Sequence, residues 1–168
     1  MRIPKAPLVV TVVVLAVVVQ TTLLGQLGTF VPDLVVLAVI LFTLTRIRPE
    51  LILLVAFGSG LLVDLVGASL IGLRAVVYTA VAYAAIRTID YADMGRVVMA
   101  IWSAILTFMA LALVVIIGTL FGQTNVVGPD IGTRMIVIPL INGLLSTLVA
   151  PAFVRIVDRD AGLFRFTP

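Results

Sequence analysis

The chain has 168 residues, of which 62% are apolar and only 11% charged, with a net charge of +3. A water-soluble surface of ordinary polarity cannot be assembled from that composition, so lipid is the expected solvent. Cysteine and histidine are both absent, which removes disulfides, thiolate nucleophiles, imidazole acid–base chemistry and most zinc, copper or haem sites.

A hydrocarbon core about 30 Å thick needs about 20 apolar residues per helix, and the hydropathy pattern divides the chain into six expected spans within one all-α membrane domain. The first covers 7–24. Arg2 and Lys5 precede its apolar run as in a signal peptide, but Gln20, Thr21, Thr22 and Leu23 stand where a small-residue cleavage site belongs, so an uncleaved helix is expected. The turn-forming stretch Gly25 to Thr29 leads to a short second span, 31–45, opened by Pro32 and Asp33. Arg46, Arg48, Pro49 and Glu50 then form a basic turn that suits the start of a third span, 51–66.

A tight turn containing Gly67 and Gly72 joins the third span to the fourth, 70–86, as a helical hairpin. A polar connection from Arg87 to Arg96 precedes the fifth span, 97–121. The longest loop, Gly122 to Gly132, precedes the sixth, 133–156, in which Pro139 and Pro151 are expected kinks. With six crossings, Arg2, Lys5, Arg46, Arg48, Arg87, Arg96, Arg155, Arg159 and Arg165 fall on one side, and only Arg74 and Arg134 on the other. The basic excess marks the cytoplasmic face, so both termini are expected inside the cell. The same placement at helix ends accounts for the positive charge without a nucleic-acid partner.

Charged groups inside spans are costly and are by default paired or functional. Asp33, Asp64 and Arg74 qualify. Asp64 lies three residues before Gly67 and Arg74 two after Gly72, so their depths match and a salt bridge is geometrically easy. Asp33 enters from the same side, and all three could form one structural cluster. The alternatives are snorkelling to the lipid headgroups and direct ligand contact. Gly60 and Gly67 share the face of Asp64, Tyr78 lies one turn from Arg74, and small residues of this kind favour close helix contact, within the subunit or with a partner. Ser103 with Thr107, and Asn142 with Ser146, form polar stripes on the fifth and sixth spans that face each other or a central cavity. No set has catalytic spacing: a histidine, a second acid near Asp64 and a phosphate loop with lysine are all missing.

From Pro32 to Arg87 the chain resembles the MreD family of bacterial rod shape-determining membrane proteins. Pro32-Asp33-Leu34 opening a short span, the basic turn, then Gly58, Gly60, Leu61, Asp64 and Leu65, then Gly72-Leu73, Ala75 and Val77-Tyr78-Thr79 carry the likeness. Size and six-span layout extend it over nearly the whole chain. The resemblance implies a non-enzymatic scaffold in the cytoplasmic membrane, without cofactors. It would bind MreC through intramembrane helix faces, in an assembly with MreB, RodA and a penicillin-binding transpeptidase. Pro32, Gly58, Gly60, Gly67, Gly72 and Tyr78 would form helix-packing or partner faces. The family is also similar in fold to the substrate-binding subunits of energy-coupling-factor transporters, so capture of a vitamin-like solute is the alternative expectation.

Overall fold

The computed structural model describes residues 5–22, 31–45, 47–67, 70–90, 95–123 and 127–157. The expected turn from Gly25 to Thr29, the tip of the Gly67 to Gly72 turn, Asn125, and Arg2, Arg46, Arg159 and Arg165 lie outside these residues. Among the described residues all regular structure is helical: α1 (Lys5–Thr22), α2 (Leu34–Thr43), α3 (Pro49–Val66), α4 (Leu73–Arg87), α5 (Arg96–Leu120) and α6 (Ile131–Val157). Three of these, α3, α5 and α6, are long and apolar enough to cross a membrane. Helix α6 runs unbroken through Pro139 and Pro151.

Helix α2 is the centre of the bundle. All its residues from Val35 to Thr43 are buried, as expected of a helix that is apolar on every face. It touches each of the other five helices, which follow one another around it in the order α1, α3, α4, α5, α6. Its 10 residues reach about 15 Å, half the hydrocarbon thickness. Only residues 34–43 of the expected second span are therefore helical, and the chain enters them through Pro32 and Asp33 without regular structure. An edge-to-face contact between Phe42 and Phe153, 5.0 Å between centroids, packs the end of α2 on α6.

Buried hydroxyls are absorbed locally, as an apolar surrounding demands. Thr43 donates to the Ile40 carbonyl at 2.6 Å, Thr45 to Phe42 at 2.6 Å and Ser59 to Ala56 at 2.8 Å. Such back-bonding satisfies the hydroxyl without a partner helix.

Glycines set the two closest helix pairs. A Cβ on Gly60 of α3 would lie 2.5 Å from the backbone of Arg74 and Ala75 in α4. One on Gly143 of α6 would lie 2.7 Å from the Ala100 carbonyl oxygen in α5. Gly58 has nothing within 4 Å of the same position and faces outward. Trp102 Nε1 donates to Thr88 Oγ1 at 2.8 Å, which sets the end of α4 beside the start of α5. With α3 and α4 joined as a hairpin, Arg48, Arg87, Arg96 and Arg155 share one end of the bundle, and Arg74 and Arg134 the other.

These contacts separate two glycines that look alike in sequence. Gly60→Ala is expected to force α3 and α4 apart at a cost of about 1–3 kcal/mol, read as a lower melting temperature of the purified chain. Gly58→Ala is expected to leave the melting temperature unchanged.

Candidate functional site

The hairpin charge is built into the backbone. Asp64 is 1% exposed, and its Oδ2 accepts the backbone N–H of Gly72 and of Arg74, each at 2.9 Å. Gly72 precedes α4 with φ +94°, a conformation that glycine adopts without steric penalty. Helix starts leave N–H groups unpaired, and here a carboxylate from the preceding helix takes two of them. The Asp64–Arg74 contact seen in the structure thus runs through the Arg74 main chain. Gly67 closes α3 in an extended conformation, its N–H donating to the Val63 carbonyl at 2.9 Å.

Asp33 does the same for α2. Its Oδ1 accepts the Val36 N–H at 3.1 Å, and Gln20 Oε1 from α1 accepts the Val35 N–H at 3.0 Å. Tyr78 of α4 donates to Asp33 Oδ2 over a long 3.4 Å. Tyr78 is 2% exposed and stands one turn along α4 from Arg74, so α4 itself links the hairpin to the start of α2. From α6, Asn142 Nδ2 donates to the Asp33 carbonyl at 3.1 Å and to Thr107 Oγ1 of α5 at 3.3 Å. Five helices therefore meet at the first turn of α2. Thr107 and Asn142 both lie near the middle of their helices, so α2 begins midway along the bundle.

Of the sequence candidates, Asp33, Tyr78, Asp64, Gly72 and the Arg74 backbone form this connected node. Gly60 lies beside it as the contact that lets α4 approach, and half-buried Pro32 leads the chain into Asp33. Gly58 lies apart on the outer face of α3. Gln20 and Asn142 belong to the node although nothing linked them to Asp33 in sequence, since they stand 15 and 109 residues from their partners. The two polar stripes do face each other, joined by the Asn142–Thr107 bond. Among the described residues no group of three or more carboxylate, histidine or cysteine side chains could hold a metal ion.

The oxygen that Asp64 offers to Gly72 and Arg74 can be replaced by an amide oxygen. Asp64→Asn is expected to keep most of the membrane abundance, whereas Asp64→Ala, which leaves two part-buried N–H groups without that acceptor at about 1–3 kcal/mol each, is expected to lower it severalfold. Exchanging the charges, Asp64→Arg with Arg74→Asp, is expected to restore nothing. Immunoblots of membrane fractions check all three.

The family model described as rod shape-determining protein MreD matches residues 3–157. No curated protein and no solved structure gives a match. The family match covers nearly the whole chain, including the node, the hairpin and the α5–α6 pair, and the chain belongs to the MreD family of rod shape-determining proteins.

Proposed function

We propose that the chain is a multi-pass scaffold of the bacterial cytoplasmic membrane, one that holds cell-elongation proteins together for peptidoglycan synthesis and catalyses no reaction itself. The family match over residues 3–157 carries this reading. In it the bundle crosses the bilayer six times, with the end bearing Arg48, Arg87, Arg96 and Arg155 in the cytoplasm, as the positive-inside rule requires. Helix α2 crosses with the help of its non-helical approach at 31–33, whose polar groups stay inside protein. The charge cluster of Asp33, Asp64 and Arg74 fixes the helix starts, leaving the outer faces free for partners.

The partner assigned is MreC, with MreB, RodA and a penicillin-binding transpeptidase in the same assembly. Its docking face in this reading is the outward side of α3. There Leu54 and Leu65 are 68% and 61% exposed, and Gly58 between them carries no contact. Such a notch admits a second helix closely. The transporter-like alternative has less behind it, because the outward face of α1 is Val10, Val14, Leu15 and Val18, too bulky for small-residue docking of a transport module.

Two measurements test this reading. Gly58→Leu is expected to reduce several-fold the MreC recovered with the tagged chain at unchanged abundance of the chain, and undiminished recovery rejects this face. Depletion of the chain is expected to turn rods into spheres; preserved rod shape in cells with a single copy rejects the scaffold function.

A further inference from the structure

We infer that the α5–α6 seam binds one water molecule, held between Ser103 Oγ and Asn142 Oδ1 beside the start of α2. Ser103 is the exception among the buried hydroxyls. Thr43, Thr45, Ser59, Thr107 and Ser146 each donate to a carbonyl of their own helix or its last turn. Ser103 is 0% exposed, yet its Oγ bonds no group among the described residues.

Asn142 is also 0% exposed, and its orientation is fixed. Nδ2 faces the Asp33 carbonyl, and a flipped amide would set oxygen against oxygen there. Its Oδ1 is therefore an acceptor, and it too is buried without a partner among the described residues. Both atoms belong to one interface. Ala100, Ser103, Ala104 and Thr107 recur at helical spacing on α5 and face α6, where Gly143 meets Ala100 and Ala104 and Asn142 meets Thr107.

One hydroxyl and one lone acceptor, both enclosed, call for a small ligand that donates and accepts. Water does both, and buried waters typically make about three such bonds. Two neutral oxygens offer a cation no countercharge, and the carboxylate of Asp33, whose carbonyl Asn142 holds, is engaged by Val36 and Tyr78. The bound water would hold the Asn142 amide in the orientation that anchors α2.

The test uses the purified full-length chain. Ser103→Ala is expected to lower the melting temperature by a few degrees in the native background and by much less in an Asn142→Leu background, where the water has already lost its anchor. Equal shifts in both backgrounds overturn the inference. A density map of the native chain that resolves ordered water is expected to show a peak within bonding distance of both atoms; direct contact between them overturns it. Melting is expected to be the same in sodium and choline chloride, and a sodium-dependent rise would assign the site to a cation instead.

Discussion

A helix that starts inside a bundle surrounded by lipid has no water for its first N–H groups, and this constraint governs the whole architecture. Helix α2 starts midway along α5 and α6, and α4 starts against the end of α3. Both are supplied with side-chain oxygens from elsewhere: Asp33 and Gln20 for α2, and Asp64 for α4. The two acids turn their carboxyl oxygens toward helix N-termini, the arrangement that favours negative charge there. Their cost in an apolar surrounding is thereby offset by main-chain N–H groups.

The same node explains why a helix as short as α2 can be the core. Its side chains are enclosed by five helices, and Asp33 gathers contacts from α4 and α6 through Tyr78 and Asn142. Gly60 then lets α4 lie against α3 closely enough for Asp64 to reach past the turn. The polar groups of the node are directed inward, and the outward faces of α3, α5 and α6 carry many exposed large apolar side chains. That division suits a membrane protein of the rod shape-determining family.

Hydropathy made the helices legible, because apolar runs and their breaks at Pro49, Gly67 and Gly72 are local properties of the chain. The shortness of the second helix was legible for the same reason: Pro32 and Asp33 interrupt the apolar run before Leu34. Asp64 could be recognised as a buried charge, but not its partners, since a carboxylate facing a helix start and one facing a guanidinium have the same spacing to Arg74. Asn142 was legible as part of a polar stripe, but neither its bond to the Asp33 carbonyl nor that of Gln20 to the Val35 N–H was, since folding alone brings the two to the start of α2. Likewise Gly58 and Gly60 differ only by which side of α3 meets α4.

Amide hydrogen exchange of the chain in lipid nanodiscs tests the capping of α2 and α4 most directly, with α5 as the internal control because its N-cap residue, Gly95, brings no side chain of its own. If oxygens from neighbouring segments hold these helix starts, the N–H groups of Val35, Val36, Gly72 and Arg74 exchange as slowly as the middle of α5. Exchange at those four positions as fast as in the first turn of α5 would contradict it.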